Sequence, residues 1–251
     1  MESIDAKMIR AHEHLEVFGR EVHDYLSTIK ITMVLKTAPT EPHPWLVIWA
    51  NDYIPPMRLS VLLGDCVHNM RAALDNLICG LARTVDPRCT CKGTAFPFRQ
   101  SEADWDANFE RDLAGVPSDA QDIIKTLQPW HDQASPLIML NRLSNTDKHR
   151  ACNLTLAYNR NAGFRVHGND GTVTDIACKE PLYLGDVHTI VLPVARSAVE
   201  PSARVEAGGT FTLSIREEGN WGETPVTQVL QRCFDHIEKA VIGKLKPFFE
   251  R

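Results

Sequence analysis

Residues 62–77, LLGDCVHNMRAALDNL, constrain this chain more than any other stretch. Apolar side chains recur there at helical spacing, yet the segment also carries Asp65, His68, Asn69, Arg71 and Asp75. At about 100° per residue, Leu62, Leu63, Cys66, Met70, Ala73, Leu74, Leu77 and Leu81 gather on one face. His68, Arg71 and Asp75 share a narrow strip on roughly the opposite side. A solvated helix face is normally furnished with Lys, Glu, Gln, Ser or Thr, and residues 61–83 contain none of these. Around the strip lie Gly64, Ala72, Cys79 and Ala82, small enough to admit another element. The composition predicts a helix covered on both faces, with its charges inside.

Charges so placed need partners. An exposed Arg–Asp pair at i,i+4 contributes only about 0.2–0.5 kcal/mol, whereas a buried, uncompensated charge costs several kcal/mol. Arg71 is expected to pair with Asp75 and with groups from other helices, and His68, one turn earlier, to complete the network. A second cluster lies in NRLSNTDKHR, where Arg142, Asn145 and His149 fall on one face at i, i+3 and i+7. Lys148, His149 and Arg150 suit a helix C-terminus and its dipole. Asp147 runs against that trend and calls for a cation, with Arg71 the natural candidate. His68, Arg71, Asp75, Arg142, Asp147 and His149 are the candidate catalytic residues on this reading. A network that only fixes helix register is the alternative.

The rest of the chain reads as helix, then strand, then helix. Residues 4–30 repeat Ile4, Met8, Leu15, Phe18, Val22, Tyr25, Leu26 and Ile29 at helical spacing. ITMVLK and WLVIWA flank the turn-rich TAPTEPHP, which predicts a short β-hairpin over about 31–53. Pro55 and Pro56 suit the entry to the second helix, which runs to about Thr84. SEADWDANFERDL is a short helix. Ser118 with Gln121 is a capping-box signature, and Ser135 followed by Pro136 marks another helix start. From Ala151 the runs NLTLAY, GFRVHG, GTVTDIAC, HTIVLPV and GTFTLSIREE are β-prone. Val226, Val229, Leu230, Cys233, Phe234, Ile237, Val241 and Leu245 then restore a helical stripe. The expected fold is α+β, mainly α: a bundle of four to five major helices over 1–150, a β-rich insertion over 151–223, and a closing helix over 224–251.

Composition narrows the functional classes. A net charge of −5 supplies no global basic field to recruit nucleic acid. The opening MESIDAKMIR has no apolar signal region and no apolar run is long enough to span a bilayer, so a cytoplasmic protein without membrane association is expected. The seven cysteines are then expected as reduced thiols, and Cys89-x-Cys91 has no second pair to complete a zinc site. His12, His14, His23, His68, Asp65, Asp75, Asp147 and His149 offer enough ligand types for a metal. The H-x-x-x-H and E-x-x-H spacings that helix-borne metal sites use are nevertheless absent, so no metal or cofactor is expected. P-loop, G-x-G-x-x-G, G-x-S-x-G and C-x-x-C signatures are missing as well. The five tryptophans are dispersed and read as packing residues.

LGDCVHNMRAALDNL, FPF, LQPW and SPLIMLNRLSNTDKHR together resemble a group of bacterial proteins sharing GD-x-x-HN-x-R-x-ALD-x-L and N-x-DKHR. That resemblance implies a helical fold and no particular activity. The chain also resembles the HEPN superfamily of helical bundles, whose ribonuclease members carry Arg-x4–6-His and often work as dimers in toxin–antitoxin or antiviral systems. Arg71 with four intervening residues reaches Asn76, in place of the His, while Arg142 with six reaches His149. The resemblance implies a metal-independent ribonuclease acting on RNA or a nucleotide, possible as a homodimer. A His would serve as base or acid, and Arg71 or Arg142 would stabilise charge on the phosphate. A non-catalytic binding or interaction protein with a structural polar network is the competing expectation.

Overall fold

The computed structural model describes residues 1–36, 45–50, 54–132, 135–148, 152, 154–158, 163–169, 171–177, 182–184, 189–193, 204–207, 211–215 and 224–250. Its architecture is α+β and mainly α. The chain divides into two compact units, one of residues 1–19, 57–152 and 227–251, the other of residues 20–56 and 153–226.

The first unit is helical. It holds most of α1 (Glu2–Thr28) and all of α2 (Met57–Val85), α3 (Glu102–Asp112), α4 (Ser118–Thr126) and α5 (Pro136–Asp147). Most of α6 (Val226–Asp235) follows, continued by a π-helix over His236–Ile242, a turn over Gly243–Leu245 and a 3-10 segment over Lys246–Phe249. Helix α2 is the spine: Leu59, Leu63, Cys66, Val67, Met70, Ala73, Leu74, Leu77, Ile78 and Leu81 are each 1% exposed or less. Full burial of a large aliphatic side chain stabilises by about 1.5–3 kcal/mol, so this stripe alone explains why the segment is inside. Glycine in a helix interior costs about 1 kcal/mol relative to alanine. At Gly80 the cause is visible, because a Cβ there would lie 2.7 Å from the ring of Phe249.

Helix starts follow local chemistry. Ser101 accepts from the Asp104 N–H, and Ser135 accepts from the Leu137 N–H with Pro136 at the first helical position. The capping box expected at Ser118 does not form. Pro117 is the cap, and the Gln121 side chain instead donates to the Val116 carbonyl at 2.8 Å. Trp105, 3% exposed, stacks on Phe109 and meets Trp130 edge-on at 5.9 Å, which makes these rings part of the packing. In the closing helix Val229, Cys233, Ile237, Val241 and Leu245 are buried at four-residue steps, straight through the π-helix.

The second unit is built on strands. β1 (Ile31–Lys36) and β2 (Trp45–Ala50) pair antiparallel, as a hairpin requires, with Lys36 opposite Trp45; the connecting residues lie outside the described ones. β2 also pairs with β7 (Thr189–Pro193). β3 (Leu154–Tyr158) lies between β6 (Leu182–Leu184) and β9 (Phe211–Ile215). β4 (Gly163–His167) lies between β5 (Val173–Ala177) and β8 (Arg204–Ala207). Phe164 and Val166 are buried while Arg165 between them is exposed, the period-two alternation of a half-covered strand. Among the described residues, no helix is long and apolar enough to cross a membrane.

Candidate functional site

The polar strip on α2 is a set of fastenings. Residues 89–99, between α2 and α3, lack a strand partner, so their backbone groups must be satisfied elsewhere. Arg71, Asp75, Cys79 and Arg83 stand at four-residue steps along α2, which places them in one line on the helix. Arg83 Nε donates to the Cys89 carbonyl at 3.2 Å. Cys79 forms a disulfide with Cys91, their Cα atoms 5.3 Å apart. Asp75 Oδ1 accepts from the Phe96 N–H at 2.9 Å. Arg71 donates through Nη2 to the Phe96 carbonyl at 3.0 Å and through Nε to Asp75 Oδ2 at 3.3 Å. Its guanidinium also lies 4.3 Å from the centre of the Phe98 ring, a cation–π contact. The strap runs antiparallel to α2, each α2 side chain taking a later strap residue as the helix is followed backwards.

Beyond Phe98 the strap is tied to other helices. The Arg99 N–H donates to Gln128 Oε1 at 2.9 Å, and the Arg99 guanidinium pairs with Asp104 and Asp112. Gln128 is 1% exposed and turns its own amide to the Ile124 carbonyl. These ties hold the strap's end beside a pocket of about 190 Å3 lined by Phe98, Gln100, Pro129, Ile138, Asn141 and Arg142. Phe98, Pro129 and Ile138 give it apolar walls. Gln100 and Asn141 contribute amides that can donate and accept, and Arg142 adds a fixed positive charge.

A different cluster sits two turns earlier on α2. A Cβ at Gly64 would overlap the Asp147 carboxylate, 2.8 Å from its Cγ, so glycine lets the end of α5 approach. Loss of water at this contact lifts the Asp147 pKa, the Asp65 charge lifts it further, and His68 opposes both. His14 Nδ1 of α1 lies 4.0 Å from Asp65 Oδ2. Asn69 accepts from Lys7 Nζ at 3.3 Å and donates to the Asp65 carbonyl.

Arg71 and Asp75 thus meet as expected, but half-buried rather than enclosed, their side chains 20% and 37% exposed. His68 is exposed and faces Asp147 rather than the Arg71 network; the side opposite the core stripe is covered from Arg71 onward by the strap but open at His68. The cation expected for Asp147 is not Arg71. Seven residues, about 10 Å of helix rise, separate Gly64 from Arg71, and the guanidinium is engaged by Asp75, Phe96 and Phe98. Arg142 reaches the pocket wall. His149 lies outside the described residues. The expectation of reduced thiols fails at Cys79 and Cys91, which the folded chain brings within bonding reach. Cys66, Cys89, Cys152 and Cys233 are not disulfide-bonded, and burial pushes the Cys66 and Cys233 thiols up to about 12.

Cys79, Arg83, Phe98, Gln100 and Asn141 belong to this region of the structure without standing out in the sequence as parts of a site. The four-residue spacing of Arg71, Asp75, Cys79 and Arg83 was a usable signal for the first two of these. Among the described residues, no group of three or more His, Cys, Asp or Glu side chains could hold a metal ion. Set against family models, curated proteins and solved structures, the chain matches none.

Proposed function

We propose that the helical unit is a binding module that takes a flat, polar ring bearing a negative group, such as the base and phosphate of a nucleotide or a single-stranded RNA end. The observation that carries this reading is the pocket at the end of the strap: an aromatic wall, two amides and one arginine around about 190 Å3. Single-stranded RNA is recognised by base stacking on aromatic rings and by amide contacts to base edges. The volume falls below the roughly 300–1,000 Å3 of drug-sized sites, which favours one ring over a whole cofactor. On this reading Arg71 and Asp75 are structural, since their polar atoms are spent on Phe96 and on each other. Arg142 meets the phosphate.

Cleavage of RNA by a HEPN-like mechanism is the second reading, favoured by Arg142 on the pocket wall and the Arg-x6-His spacing to His149. The cluster of Asp65, His68 and Asp147 is a poorer place for it, because two carboxylates repel a phosphodiester. The proposed setting is the cytoplasm, where a disulfide is usually transient and redox-sensing.

Titration of the full chain with 5′-mononucleotides and a short single-stranded oligoribonucleotide, followed by NMR, tests both readings. Binding is expected in the wild type and about fivefold or more weaker in Arg142→Gln, as loss of a charge-assisted contact implies. The oligoribonucleotide stays intact in EDTA if the module only binds. Cleavage in EDTA that His149→Ala abolishes selects the ribonuclease, and absence of both binding and cleavage refutes both readings.

A further inference from the structure

We propose that the Cys79–Cys91 disulfide is a reversible redox latch on the strap, opened by a dithiol and closed by a disulfide oxidant such as oxidised glutathione. The latch is one of the fastenings described above, and three observations set it apart from a static crosslink. Cys79 and Cys91 are both half-buried, within reach of a reagent, whereas Cys66, Cys152 and Cys233, which form no disulfide, are enclosed. Cys91 holds φ at +56°, the left-handed region that a residue with a side chain rarely adopts and that surrounding structure must enforce. Cys89, free and half-buried, sits against the bond, its Sγ accepting the Cys91 N–H at 3.4 Å. This is a half-open cluster of three sulfurs on one short segment.

The chemistry is thiol–disulfide exchange. A thiolate of the dithiol attacks Cys91 Sγ, the Cys79–Cys91 bond breaks, and Cys79 leaves as a thiolate that takes up a proton. The second thiol of the reagent then attacks the mixed disulfide, freeing the Cys91 thiol and leaving the reagent as a disulfide. Two electrons pass to the protein. With the latch open, Cys91 is free to leave its left-handed conformation, and among the described residues the polar ties left between strap and α2 are those of Arg83, Asp75 and Arg71. Phe96 and Phe98 lie directly downstream, so loosening reaches the pocket wall. That last step rests on the binding reading given above; the opening of the strap does not.

Hydrogen exchange of the full chain, read by mass spectrometry, tests the latch. The background is Cys89→Ser, which prevents re-pairing with the neighbouring thiol. Segment 92–99 is expected to exchange about tenfold or more faster after reduction by dithiothreitol, as the loss of a local constraint implies, and to recover on oxidation by glutathione disulfide. Residues 136–147 of α5 should not change, which shows that the fold persists. Cys79→Ser should exchange like the reduced protein in either buffer. Equal protection of 92–99 in the oxidised, reduced and Cys79→Ser proteins overturns the proposal. So does alkylation of Cys79 and Cys91 as separate thiols after oxidation. Failure of nucleotide binding alone leaves the strap result standing and removes only its consequence for the pocket.

Discussion

Helix α2 carries two polar sites two turns apart, and they treat charge in opposite ways. From Arg71 to Arg83 every singled-out side chain is matched: cation to carboxylate, carboxylate to N–H, guanidinium to carbonyl and ring, thiol to thiol. At Gly64–His68 the Asp147 carboxylate loses water and feels the Asp65 charge, with His68 opposing both, and Asp147 holds its proton more tightly as a result. The first site satisfies the backbone of a loop. The second brings two helices into close contact at the cost of electrostatic tension. Polar residues in an apolar helix therefore say that something lies against it; the partner's own unsatisfied groups decide whether the result is a clamp or a titrating site.

Removing the clamp is the largest way to break this contrast. Asp75→Ala leaves the Phe96 N–H unpaired and the Arg71 Nε without its acceptor, and with the carboxylate partly exposed should lower stability by about 1–2 kcal/mol in urea unfolding. Asp75→Asn keeps an oxygen for the Phe96 N–H and should lose about half of that. A smaller effect is expected where the second site is opened. Gly64→Ala gains helix propensity but displaces the Asp147 carboxylate, so its net change in stability should stay within about 1 kcal/mol. In an NMR titration of the same variant, the Asp147 pKa should fall toward the ordinary value of 3.8.

The smallest effect sharpens the comparison through pH. Because the folded-state pKa of Asp147 is raised, the native chain binds more protons there than the unfolded one as pH climbs past 3.8. Stability from this group is then lost as pH rises through the folded value. Asp147→Asn should be slightly more stable than wild type near neutral pH, with the difference vanishing in acid below the ordinary carboxylate range. Thermal unfolding across that range checks the sign, and an Asn variant weaker at neutral pH would mean that the carboxylate is matched after all.

Much of the architecture was legible because it follows from local periodicity. The strands ITMVLK and WLVIWA, the entry of α2 after Pro56 and the cap at Ser135 all rest on neighbours in sequence. β6 and β8 escaped detection, since runs of three and four residues carry too little alternation to be seen. The Arg71–Asp75 pair was legible from its spacing and from the absence of ordinary surface residues around it. Its purpose was not, because the groups it satisfies belong to the backbone of Phe96, and backbone atoms leave no mark in composition. The same blindness explains the misassigned partner of Asp147. Sequence suggested a cation for a lone carboxylate, while the packing at Gly64 delivered a second carboxylate.

The π-helix at His236–Ile242 has a geometric consequence. Four residues overshoot one α-helical turn by about 40°, so side chains repeated every fourth position wind steadily around the cylinder. Val229, Cys233, Ile237, Val241 and Leu245 repeat in that way yet all stay inside. The wider π turn subtracts rotation midway and brings the later members back into phase. Wound as ordinary α-helix at the same length, residues 236–242 would swing Leu245 and Phe248 out of alignment, carrying the Phe249 ring away from its notch at Gly80.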